Sequence, residues 1–202
     1  MQGLYLKTLN SIYKFEQELA EFTGAPYAVM TDCCTHAIEL CFRLDTPKQV
    51  TFTPFTYLSI PMLMHKLGIE YAYREEKWTG EYRFHGTNVW DSARRLEKNM
   101  YESRQMQCLS FGWDKPLQIG RGGAILLDDK DSYQKLIEMR YDGRDLTKVP
   151  WQQQRVFRVG YHYRPTIEEA DAASQELKKI KITNPKPKYK QYPDLRTIEI
   201  VK

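Results

Sequence analysis

Lys115 lies in SFGWDKPLQIGRGG (residues 110–123), between two β-prone runs and beside a glycine-rich turn. An isolated lysine is ordinarily a solvated surface group. One held on a loop between buried strands is a candidate for a desolvated amine of lowered pKa, the form in which lysine acts as a nucleophile. Three further positions could serve chemistry with it. Asp32-Cys33-Cys34-Thr35 joins a strand to a helix. Free amides and the helix dipole make such a turn an anion site, to which Thr35 adds a hydroxyl, although any such turn also needs a cap for purely structural reasons. Asp91 follows the β-prone NVW, where an acid can cap a helix, hold a cation or pair with a protonated ring nitrogen. Ser110 lies near the end of the run MQCLSF. GRGG opens a strand rather than a helix, so a dinucleotide-binding fingerprint does not fit.

These positions share a context, because ligands of α/β sheets bind at the carboxyl ends of strands. The pattern predicts a helix over 10–23, with Ile12, Phe15, Leu19 and Phe22 at helical spacing and Gly24 as its stop. The strand YAVMT (27–31) follows, then a helix carrying Ala37, Ile38, Leu40, Cys41 and Leu44. QVTFT (49–53), a helix over 57–67 ended by Gly68, and IEYAY (69–73) partly repeat the unit. Residues 75–86 read as polar and irregular. NVWDSA (88–93) and MQCLSF (106–111) are further strands. GGAILL (122–127) comes too soon for a helical crossover and is expected to run antiparallel. Helices over 130–143 and 166–181 complete the chain, the second opening on Thr166 as cap with Glu168 and Glu169 in its first turn. The alternation predicts an α/β domain over 1–181 with a mostly parallel sheet flanked by helices. Residues 182–202 form a proline- and lysine-rich arm, either solvated or pairing with a partner subunit.

Composition narrows the function classes. With 202 residues, 42% apolar and 28% charged, the chain can bury a core of its own. A net charge of +4, from 30 basic and 26 acidic side chains, is too small an excess to argue for nucleic acid. No apolar run suffices to cross a membrane, and the first residues lack the apolar centre of a signal peptide, so a cytoplasmic location is expected. Cys33, Cys34, Cys41 and Cys108 show no CxxC spacing and read as reduced thiols rather than disulfides or a zinc site.

Three segments, in conserved order, resemble the DegT/DnrJ/EryC1/StrS family of sugar aminotransferases dependent on pyridoxal phosphate (PLP). FEQELAEFTGAPYAVMTDCCTHAI is similar to its stretch FExxFAxYxGxxYAVxxxSGTxAL. SFGWDKPLQIGRGGAILLDD is similar to its Schiff-base segment SFxxxKxLxxGxGGxxxTDD, and GYHYRPTIEEADAA to its GYNYRxxExQAA. The resemblance spans about residues 13–181, with a gap, and implies a reduced large domain of the fold-type I class. It implies that Lys115 carries the Schiff base and that Asp91 binds the pyridine nitrogen. Tyr57 would stack on the ring. Cys34, Thr35 and Ser110 would hold the phosphate, and His162 would reach the phosphate of a neighbouring subunit in a homodimer. Arg164 is assigned to an anionic group of the substrate.

Departures from the pattern temper the transfer. Cys34 stands at a glycine position, Arg94 where a glutamine or histidine contacts the ring oxygen, and His162 at an asparagine position. Arg94 could stabilise the ring's phenolate or compete for Asp91. Material between Tyr73 and Asp91, and most of a C-terminal small domain, has no counterpart. The implied activity is amino transfer from an amino-acid donor to a keto-sugar nucleotide. The alternative is a catalytically reduced scaffold that binds PLP or a nucleotide. A ligand-free α/β domain is the bland reading. The family's dehydratases lack the lysine, so Lys115 argues against that reaction.

Overall fold

A computed structural model describes residues 2–146, 150–180 and 192–200, with side chains from Asn10 onward. Helix α1 (Gln2–Thr23) starts earlier than its periodicity indicated. It is followed by β1 (Tyr27–Thr31), α2 (Cys34–Asp45), β2 (Gln49–Phe52), α3 (Ser59–Leu67) and β3 (Glu70–Tyr73). Short strands β4 (Tyr82–Arg83) and β5 (Val89–Asp91) lead to β6 (Met106–Ser110), β7 (Gly123–Leu127), α4 (Lys130–Arg140) and α5 (Ile167–Leu177). Local chemistry sets these ends. Gly68 closes α3 at φ 66°, a backbone region open to glycine without a Cβ penalty. Thr166 and Glu169 form a reciprocal capping box at the start of α5.

The sheet departs from the expected parallel arrangement. Its order is β1-β7-β6-β5-β4, and only β5–β6 is a parallel pair. The other parallel pair, β2–β3, forms a separate two-stranded sheet. Parallel neighbours need a crossover of about a dozen residues or more, usually helical: α3 supplies it for β2–β3, and the helix-free stretch 92–105 supplies it for β5–β6. The short links β4–β5 and β6–β7 turn the chain back on itself. The expected antiparallel course of β7 is what is found.

Both faces of the main sheet are covered. Val29, Cys108, Ile125 and Leu127 face a core shared with α2, α3 and α4. Met30, Leu109, Ala124 and Leu126 face α1 and α5. This alternation is the two-residue period of a strand buried on both sides. The stretch 75–86 is more than a polar loop: Trp78, Tyr82 and Phe84 are core residues, and β4 closes the sheet edge.

Residues 192–197 do not run free. Leu195 is 3% exposed and its N–H donates to the Pro54 carbonyl at 3.1 Å. The rest of the expected arm, 182–191 and 201–202, lies outside the described residues. Among the described residues no helix is long and apolar enough to cross a membrane.

Candidate active site

Asp91 ends β5, Ser110 ends β6, and the Asp32–Thr35 turn follows β1, so three strand ends open on one side of the sheet. A cavity of about 420 Å³ lies there, lined by Cys34, Thr35, Tyr57, Asp91, Ser110 and Lys115 among others. Six residues singled out in the sequence thus meet in one space.

The loop carrying Lys115 is anchored at several points. Phe111 N–H donates to the Gly122 carbonyl, Ile119 N–H to the Phe111 carbonyl, and Leu117 is buried. Lys115 N–H closes a tight turn onto Gly112. The lysine side chain is 13% exposed, with Nζ 3.6 Å from Asp114 Oδ1. The amine is therefore sheltered but accompanied by an acid that the sequence reading did not weigh.

Asp91 is buried. Its Oδ2 accepts from the Tyr82 hydroxyl at 2.9 Å and its Oδ1 from the Ala93 N–H at 2.9 Å. Burial raises its pKa; these two hydrogen bonds and the charge of Lys115 pull the other way without restoring the ordinary value. A carboxylate in this position gains from any cationic group brought against it.

At the start of α2, Cys33 is the N-cap, and its Sγ accepts from the His36 N–H. Cys34 and Thr35 occupy the first turn, where backbone N–H groups have no intrahelical acceptor. Thr35 Oγ1 lies 2.8 Å from Ser59 Oγ on α3. The Cys34 thiol points away from an anion role: burial pushes its pKa well up, and Sγ contacts the Cys108 carbonyl at 3.7 Å. Its contribution is its backbone. Gly123 lets the turn approach, since a Cβ there would sit 2.5 Å from the Cys34 nitrogen.

Three assigned residues lie off the cavity wall. Arg94 donates to Asp114 Oδ2 at 3.0 Å, so it neither lines the cavity nor competes for Asp91. His162 is 73% exposed and pairs with Asp142 at 3.1 Å. The Arg164 guanidinium lies 4.7 Å from the Tyr141 ring centre. These last two are turned away because GYHYR itself pairs onto the end of α4, with Tyr161 N–H on the Met139 carbonyl and Tyr163 N–H on the Arg140 carbonyl.

Other cavity residues escaped the sequence reading. Arg121 lines the cavity and holds Asp32, Nη2 to Oδ2 at 2.6 Å. Asp32 Oδ1 bonds His36 Nδ1 at 2.6 Å, and the His36 ring stacks on Tyr163 at 3.7 Å. The i, i+4 spacing of Asp32 and His36 was the available signal. Asp32, Cys33 and His36 also converge as a conceivable metal group. Arg121 and the positive end of α2 make that spot hostile to a cation. Trp78, Trp113 and Tyr192 add aromatic surface to the cavity.

A family model described as the DegT/DnrJ/EryC1/StrS aminotransferase family matches residues 2–73 and 86–190. Among solved structures, the chain is similar to 3-amino-5-hydroxybenzoic acid synthase at 17% identity and TM-score 0.69, covering 85% of this chain and 56% of that one. It is similar to the sugar aminotransferase CalS13 from Micromonospora echinospora at 16% identity and TM-score 0.67, with 84% and 60% covered. Helicobacter pylori PseC, an aminotransferase involved in the biosynthesis of pseudoaminic acid, gives 16% identity and TM-score 0.63, with 89% and 62% covered. The chain thus spans less than two thirds of the length of each of these structures. No curated protein matches the sequence.

Proposed function

The chain belongs to the DegT/DnrJ/EryC1/StrS aminotransferase family, and from that premise we propose that it binds PLP and transfers an amino group to a keto-sugar nucleotide, with Lys115 supplying the amine of the Schiff base. One observation carries the reading: a buried acid, a sheltered lysine and the open first turn of a helix share a single cavity.

The residues fit the cofactor. Asp91, with its pKa raised by burial, gains a counter-charge from a protonated pyridine nitrogen and in return keeps that nitrogen protonated. Tyr57 is 65% exposed on the cavity wall, free to lie against a ring. The amides of Cys34 and Thr35, with the hydroxyls of Thr35 and Ser110, suit a phosphate. When bound, PLP supplies an electron sink for exchange at a carbon–nitrogen bond. The chain's own residues hold the ring, orient it and move protons at the Lys115 amine.

The shared-site homodimer is part of this proposal. His162 faces solvent, and Trp151, Val156, Phe157 and Val159 nearby in sequence are exposed apolar side chains. A second copy would cover them and receive His162. The keto-sugar nucleotide and the amino-acid donor are carried over from the family resemblance. A second reading, PLP binding without turnover, is favoured by Asp114, which engages both Lys115 and Arg94.

Borohydride reduction of PLP-treated protein, followed by peptide mass spectrometry, tests the central step. A pyridoxyl group on Lys115, with loss of the visible absorbance band in Lys115→Ala, is expected. No band in the wild type overturns the proposal. Glutamate-dependent amination of a keto-sugar nucleotide separates the enzyme from the non-catalytic scaffold. Mixing Lys115→Ala with His162→Ala chains should restore PLP binding if sites are shared.

A further inference from the structure

We propose that Tyr192 is a positioning residue for the PLP ring, acting through Trp78 and the loop that presents Tyr57. Both Tyr192 and Trp78 lie outside the residues that the family model matches. Both line the cavity, and their rings stack at 5.7 Å with an interplanar angle of 20°. Trp78 in turn packs against Tyr82, 5.0 Å between ring centres, and Tyr82 bonds Asp91.

The loop from Pro54 to Tyr57 lies outside any helix or strand. It is gripped from two sides. The Trp78 indole N–H donates to the Phe55 carbonyl at 2.7 Å. From the other side, Leu195 N–H donates to the Pro54 carbonyl at 3.1 Å, and the Arg196 guanidinium lies 5.8 Å from the Phe55 ring centre while pairing with Glu75 at 2.8 Å. Thr56, next along, is buried and meets the Tyr82 hydroxyl at 2.7 Å. Tyr57 therefore projects from a loop whose course is fixed by contacts that Tyr192 and its neighbours close. Loss of the Tyr192 ring removes one face of the Trp78 stack and loosens the grip where a flat cofactor would be held. The hydroxyl of Tyr192 is not required by this argument; the ring is.

This inference rests on the reading that the cavity holds PLP. Its test uses PLP itself, with Tyr192→Ala, Tyr192→Phe and, as a control, Leu177→Ala. Leu177 is buried in the other core, between α1 and α5. The readouts are the PLP Kd and the visible circular dichroism of bound PLP at saturation, which reports ring orientation. Tyr192→Ala should weaken PLP about tenfold and reduce the dichroism, while Tyr192→Phe stays within about twofold of wild type. Leu177→Ala should lower Tm and leave both PLP readouts unchanged. The inference is overturned if Tyr192→Ala keeps wild-type affinity and dichroism, if Tyr192→Phe behaves like alanine, or if Leu177→Ala produces the same spectral loss. A wild-type protein that binds no PLP removes the functional reading and this inference with it, an outcome visible before any variant is made.

Discussion

The Tyr82 hydroxyl donates to Asp91 Oδ2 across 2.9 Å, and Thr56 Oγ1 meets the same hydroxyl at 2.7 Å. The acid at the end of β5 is thereby held by the neighbouring edge strand and by the loop that presents Tyr57. Tyr82 is 1% exposed, so this pair is desolvated and its hydrogen bond is stronger than a surface one.

Removing that donor tests how Asp91 is held. Tyr82→Phe keeps the ring in the core and deletes one bond to a group whose charged form already suffers from burial. The bond exists with and without PLP, so its loss reaches the Kd only through the ionised acid that PLP needs, and PLP affinity should fall several-fold rather than by the whole of the roughly 1.5–3 kcal/mol of such a bond. Equilibrium titration with PLP measures it. An unchanged Kd would show that Asp91 does not depend on Tyr82.

Gly123→Ala probes the approach of β7 to the start of α2. The added Cβ would meet the Cys34 nitrogen at 2.5 Å and the Cys33 carbonyl carbon at 2.7 Å, both backbone atoms that cannot rotate aside. Forced overpacking of this kind costs about 1–3 kcal/mol. Urea denaturation should show that loss, and PLP binding should weaken by more than stability alone explains, because the displaced turn carries the anion-binding amides.

Arg140 and Glu16 form a pair buried between α4 and α1. Arg140 Nη1 donates to Glu16 Oε1 and to the Met30 carbonyl, and Glu16 Oε1 also accepts from the Met30 N–H at 2.7 Å. Arg140→Met leaves a buried carboxylate without its cation, expected to cost about 3–5 kcal/mol. The double variant Glu16→Gln/Arg140→Met should recover part of that loss. If the single variant unfolds at the wild-type urea midpoint, the pair is not structural.

His36 predicts a pH dependence. Burial, the largest single influence, lowers its pKa, but hydrogen bonds to Asp32 and Cys33 and the charges of both outweigh it, raising the value from 6.5 to about 9. A raised value means the folded state holds the proton more tightly than the unfolded chain. The stabilisation is complete below pH 6.5 and is lost as pH climbs through about 9. Thermal melting across that window should show Tm declining with pH, and His36→Gln should flatten this part of the curve. An identical slope in both proteins would exclude His36 as the source.

The sequence by itself determined most of the elements and which residues to look for at the candidate site. Apolar spacing at Ile12, Phe15 and Leu19 marks α1, Gly68 and Thr166 mark helix ends, and Asp91 and Ser110 at strand ends, Thr35 in the first turn of α2 and Lys115 on the loop after β6 line one cavity. These are local signals, because hydrophobic period and cap chemistry act over a few residues. Strand direction was legible at β7, where the connection is too short to cross over, and at β2–β3, where α3 supplies the helical crossover of a parallel pair. The sheet's mostly antiparallel order depends on pairings between strands far apart in sequence, such as Val29 with Ile125. Long-range meeting also decided that Arg121 holds Asp32, that Arg94 turns to Asp114, that His162 and Arg164 leave the cavity, and that Tyr192 returns to it. No period in the chain encodes such contacts; they exist only once the packed core brings distant segments within bonding distance.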